Sequence, residues 1–178
     1  MVGYAAKFNT RSQDLGGFVE TIAPGAFTRS LEDMADVKAL FNHDPNIVLG
    51  RSTAGTLRLF QDDTGLRYEV DLPNTTAGRD LAISLERGDI SQSSFAFRTI
   101  KDDWSFDQDG RELRTLQDLE LRDVSPVTYP AYLDTNSGIA QRSLTAARAA
   151  RNPKPNLRAM EVEGMALSNA LDLINVED

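Results

Sequence analysis

The chain of 178 residues has no cysteine and a single histidine, His43. Without thiols there is no disulfide framework, no thiolate metal site and no cysteine nucleophile. Chemistry that needs a base near neutral pH has one imidazole to draw on. One histidine with scattered carboxylates is a poor ligand set, so neither metal nor cofactor is expected. Long apolar runs are also missing: none approaches the roughly 20 residues that span a bilayer, and the N-terminus lacks a basic-then-apolar leader pattern. The sequence therefore predicts no membrane partner, and the absence of cysteine fits a reducing cytoplasm. Basic charge is in deficit, with 19 Lys and Arg against 27 Asp and Glu, a net charge of −8 and a pI near 4.7. Such a surface is repelled by phosphate backbones, and no aromatic residues interleave with basic ones, so nucleic acid is not an expected partner.

What the chain does contain is unevenly arranged. Thr135–Met160 carries only basic charges (+5), Glu161–Asp178 only acidic ones (−5), and the remainder holds −8. The Ala/Arg segment Ser143–Arg151 runs into Asn152-Pro153-Lys154-Pro155-Asn156, which cannot continue a helix. Residues 1–139 read as one domain and 140–178 as a tail, partly helical or disordered. The tail is either a flexible terminus or a removable or partner-binding segment.

The body reads mostly as strands: Gly3–Phe8, Gly17–Ile22, Val37–Phe41, Thr56–Phe60, Leu66–Leu72, Ser93–Ile100, Arg111–Leu116 and Leu119–Thr128. Asp62-Asp63-Thr64-Gly65 is a hairpin signal. Short helices are predicted from Pro24 to Asp33 and from Thr75 to Leu85, the second stopped at Gly88. Many strands with turns every ten residues or so predict a mainly β fold with peripheral helices (α+β), closed or nearly closed into a small β-barrel.

A lone imidazole can serve a hydroxyl nucleophile if a carboxylate orients it; otherwise His43 merely finishes a strand. Hydroxyls cluster at Ser91, Ser93 and Ser94. In Ser94-Phe95-Ala96-Phe97 the phenylalanines share one strand face, leaving Ser94 and Ala96 on the less crowded one. Two acids compete for the third position. Asp44 adjoins His43 but points to the opposite side of an extended strand. Asp123, by alternation, falls on the apolar face of Leu119 and Leu121, where a carboxylate needs a hydrogen-bonding partner. Parity also conflicts: Val37, Ala39 and Phe41 would bury His43, unless a bulge or strand end near Asn42 and Pro45 re-aims the ring.

A collinear set of motifs covers about three quarters of the chain: Gly3–Phe8, Gly17–Glu20, Ala23–Phe27, Phe41-Asn42-His43-Asp44, Val48–Arg51, Gly55–Leu57, Gly65-Leu66, Gly88–Ile90, Ser94–Phe97 and Asp123–Tyr132. Together they resemble the prohead proteases of tailed bacteriophages, serine peptidases that mature viral capsids. The resemblance implies a small β-barrel of the herpesvirus maturation protease type. It implies His43 as base, Ser94 as nucleophile and Asp123 as the third member, where the family often has Glu. Ser93 stands where an apolar residue is usual, so Ser93 and Ser94 both remain candidates, and Ala96 replaces a frequent Gly. Implied substrates are scaffold protein, or the scaffold-like arm of the major capsid protein, and the protease itself, inside the procapsid in the host cytoplasm. The tail after Ile139 is the candidate self-cleaved region, and a homo-oligomer is allowed. The rival expectation is a non-catalytic capsid assembly or scaffolding module.

Overall fold

The computed structural model describes residues 1–129 and 146–151. In chain order the strands are Val2–Lys7 (β1), Phe18–Ile22 (β2), Lys38–Phe41 (β3), Asp44–Arg51 (β4), Leu57–Gln61 (β5), Gly65–Val70 (β6), Gln92–Phe106 (β7) and Glu112–Val127 (β8). Two helices, Thr28–Glu32 (α1) and Thr76–Arg87 (α2), flank them. None of the helices among the described residues is long and apolar enough to cross a membrane.

The smaller sheet has the order β1-β6-β5, antiparallel throughout. Its hairpin closes where the sequence predicts, because the Asp62 carboxylate accepts from the Thr64 and Gly65 amides at 2.8 and 3.0 Å. The larger sheet is built on β8. One edge of β8 pairs antiparallel with β7 along its length. The other edge pairs in parallel with β2 over Glu112–Leu116, then with β3 at Asp123 and Val124. Strand β4 lies outside β3.

Between β2 and β3 the second edge of β8 has no strand neighbour, and buried amides there need partners. Helix α1 and the turn before it supply them. Ala26 O accepts from Leu119 N at 3.0 Å, while Ser30 Oγ donates to Leu119 O at 2.6 Å and accepts from Leu121 N at 3.0 Å. One buried serine thus stands in for a missing strand.

Among the described residues the expected closed barrel is not found. The two sheets enclose one core that includes Phe8, Phe27, Leu66, Tyr68, Phe95 and Val124, but among the described residues no backbone ladder joins them. A side-chain bond, Tyr68 Oη to Ser93 Oγ at 2.8 Å, connects β6 to β7. A phenol lying between two strands holds them at a sheet-packing separation, well beyond the roughly 4.8 Å of a hydrogen-bonded pair.

Other boundaries moved for local reasons. Helix α1 begins at Thr28 rather than Pro24, because Gly25 adopts φ +88°. Strand β4 escapes prediction because Pro45 interrupts it. The stretches read as two strands at Arg111–Leu116 and Leu119–Thr128 are one, kept in register by a bulge at Gln117 opposite the step from Lys101 to Asp102. Helix α2 matches closely: Thr75 caps it by accepting from Gly78 N at 3.1 Å, and Gly88 ends it at φ +80°. Residues 146–151 are helical; the expected domain boundary near 139 and the remainder of the tail lie outside the described residues.

The far end of the β7–β8 ribbon is tied by Arg114, whose guanidinium is buried against Glu20 (2.9 Å), Asp102 (2.6 Å) and Thr99 (2.9 Å). Two carboxylates share one cation in a dry site. Burial, with Asp102 nearby, pushes the Glu20 carboxyl up to about 7 despite Arg114. A carboxyl raised on folding makes the native state bind the extra proton, so its contribution to stability is lost as pH rises. Unfolding free energy should therefore fall between about pH 4.5 and 7, and Glu20→Gln should flatten that interval in urea titrations. Ser30→Ala strands two buried backbone groups and should cost about 1–3 kcal/mol, read from the same titrations.

Candidate active site

His43 occupies the tip of the β3–β4 hairpin. Phe41 pairs with Asp44, leaving Asn42 and His43 as a two-residue turn with φ of +53° and +58°. Positive φ at both central residues marks the hairpin turn that matches strand twist, and Asn tolerates that region best after Gly. The next pairing on β3 is Leu40 with Val48, so Pro45, Asn46 and Ile47 bulge out of the ladder. This settles the parity conflict. His43 is no longer in extended backbone, and its ring is freed from the alternation that buries Ala39.

Asn42 ties the tip down. Its amide donates to Pro126 O at 3.1 Å, its Oδ1 accepts from Thr128 N at 2.8 Å, and its Nδ2 donates to Thr128 Oγ1 at 3.3 Å. The imidazole then meets β8, and Nδ1 donates to Asp123 Oδ1 at 2.6 Å. Ring and carboxylate are both mostly withdrawn from water, with side chains 21% and 12% exposed. Asp44, the competing acid, instead accepts from the Asn46 amide and Nδ2 at 2.8 and 2.9 Å.

Asp123 does not share the face of Leu119 and Leu121, as strict alternation predicts. Asp123 pairs with Ala96 and Leu121 with Phe97, so Arg122 is an extra residue bulged from β8. Consecutive residues of β7 face opposite ways, hence so do Asp123 and Leu121. The bulge keeps Leu121 in the core and turns Asp123 to the other face.

Ser94 lies on Asp123's face of the ladder: Ser94 pairs with Ser125, two pairs along from Ala96 and Asp123. It is buried, at 7% exposure. No hydrogen bond joins Ser94 Oγ to the imidazole among the described residues; such contacts commonly tighten only with substrate bound. Ser93 points the opposite way and engages the buried Tyr68 phenol. The ladder thus separates two serines that the sequence leaves equivalent. Sequence reasoning missed Asn42 as a clamp, and also Ser125, whose hydroxyl donates to Asp123 Oδ1 at 2.9 Å. The spacing of Asp123 and Ser125 by two on a strand was the available signal.

A histidine whose Nδ1 donates to a carboxylate keeps its tautomer fixed and leaves Nε2 to take a proton. The hairpin clamp can be tested apart from the turn. Asn42→Gly relieves the positive-φ strain but deletes the side-chain bonds, so thermal stability should stay near that of the parent while turnover falls about tenfold, the equivalent of a hydrogen bond or two. Asn42→Ala should lower both, as measured by melting and by peptide cleavage.

Comparison with known proteins gives the family of the chain. The family model described as caudovirus prohead serine protease matches residues 1–150. The prohead protease of Enterobacteria phage HK97 is 30% identical over 176 residues, covering 97% of this chain and 72% of that protein. No solved structure matches. A family match over residues 1–150, joined to a relative aligned with 97% of the chain, makes this protein a serine protease belonging to the caudovirus prohead family.

Proposed function

We propose that Ser94 is the nucleophile, His43 the general base and Asp123 the acid that orients it. The observation that carries this reading is the 2.6 Å bond between His43 and Asp123, made across 80 residues of sequence, with Ser94 on the same face of the β7–β8 ladder. Ser94 Oγ attacks the scissile carbonyl while its proton passes to His43 Nε2. Asp123 stabilises the imidazolium, which returns the proton to the leaving amine; water then releases the acyl group by the same path in reverse. By the family resemblance the substrates are scaffold protein, or the scaffold-like arm of the major capsid protein, inside the procapsid in the host cell. The protease also trims itself, and residues 140–178 are the candidate segment. The same resemblance supports kinship with the herpesvirus maturation protease fold, here without a closed ladder.

Cleavage of co-expressed capsid protein, with serine-directed phosphonate labelling, tests the assignment. Ser94→Ala and His43→Ala should each lower the rate by roughly 10⁴-fold or more, and Asp123→Asn by a comparable factor. Ser93→Ala should retain activity. A Ser94→Ala protein that cleaves at the parent rate would remove Ser94 from the mechanism, whereas no labelling of the mature, assembled form would favour the non-catalytic assembly module.

A further inference from the structure

We infer that Ser125 is a positioning residue that holds the Asp123 carboxylate against His43, a role that rests on the catalytic reading above. Its side chain is fully buried, and its hydroxyl donates to Asp123 Oδ1 at 2.9 Å. That oxygen is the one that receives His43 Nδ1 at 2.6 Å. Two donors therefore converge on a single carboxylate oxygen, one from the base and one from the strand that carries the acid.

The strand geometry makes the arrangement rigid. Residues Asp123 and Ser125 are two apart on β8 and share a face. At this level β8 is paired on both edges, Val124 with Ala39 of β3 and with Phe95 of β7. The backbone cannot shift, so the hydroxyl reaches the carboxylate whatever the imidazole does. A carboxylate on a side chain only 12% exposed has little water to orient it, and free rotation about its last bond would exchange the oxygen facing His43. The bond from Ser125 prevents that exchange.

Ser125 is also the cross-strand partner of Ser94, so two serines flank the acid. They differ in what they do with the hydroxyl proton. Ser125 commits its proton to Asp123 and is closed to substrate. It therefore acts through the acid and does not touch the reacting atoms.

Two measurements on the full chain test the assignment. With one histidine, the imidazole Nδ1 proton is a single, unambiguous low-field NMR signal. Its solvent exchange should accelerate at least about tenfold in Ser125→Ala, and labelling by a fluorophosphonate probe should slow by about ten- to a hundredfold in its limiting rate with the half-saturating concentration little changed, as befits loss of a hydrogen bond to a charged group. Ser125→Thr, which keeps the hydroxyl, should restore both. The inference is overturned if Ser125→Ala, or Ser125→Cys should the alanine protein not fold, keeps both within twofold of the parent. It is equally overturned if Thr and Ala fail alike, if the parent shows no such proton, or if the probe attaches at Ser125. Loss of labelling in Ser94→Ala beside an unaffected Ser125→Ala would sink this inference alone; labelling that persists in Ser94→Ala would sink the catalytic reading.

Discussion

The double pairing of β8 is the constraint on which the site rests. Around Asp123 the strand is held by β3 on one edge and β7 on the other. Each neighbour delivers one further part: β3 leads into the hairpin that carries His43, and β7 carries Ser94. Segments remote in sequence are thus brought alongside one strand through backbone hydrogen bonds, before any side chain is considered. The arrangement requires β8 to be long, and its edge to remain satisfied where no strand reaches it. Ser30 and Ala26 meet the second requirement by bonding the backbone at Leu119 and Leu121. A helix too short to contribute much stability of its own thereby supports the strand that organises the candidate site.

The hairpin tip is the complementary element. Two consecutive non-glycine residues with positive φ are a local cost, of order 1–3 kcal/mol each. Asn42 offsets it with bonds to Pro126, near the end of β8, and to Thr128 just beyond it. The strain and the clamp together hold the imidazole over β8 instead of letting it follow β3 into the core. Bulges act in the same sense. The loop-out after Asp44 frees the tip, and the extra residue Arg122 turns Asp123 to the face of Ser94. Departures from regular strand geometry cluster at the site, where function calls for side chains that alternation would send elsewhere.

Several features were legible from residue types. The scarcity of candidate bases singled out His43 without any structure. The alternation of Ser94-Phe95-Ala96-Phe97 correctly placed the two phenylalanines against the core, where their rings stack at 5.0 Å. Turn chemistry located the β5–β6 hairpin, and capping chemistry located α2, because both depend on residues close in sequence. The need of Asp123 for a partner was legible too, though by an argument that the structure replaces: the carboxylate is buried and bonded to His43, yet it is not on the face of Leu121. A one-residue bulge reverses parity for everything beyond it, and no local pattern in Leu121-Arg122-Asp123 announces one.

Composition and short-range patterning, then, determined the mainly β character, the β5–β6 hairpin and helix α2, and which residue types were present to do acid–base chemistry. These follow from interactions among neighbours along the chain. Tertiary structure alone decided that the sheets remain separate, that Ser94 rather than Ser93 faces the acid, and that Asn42 and Ser125 brace the pair. Each of those outcomes turns on ladder register and bulge position, which are set by contacts between segments tens of residues apart and reverse a side chain's face with every single-residue shift.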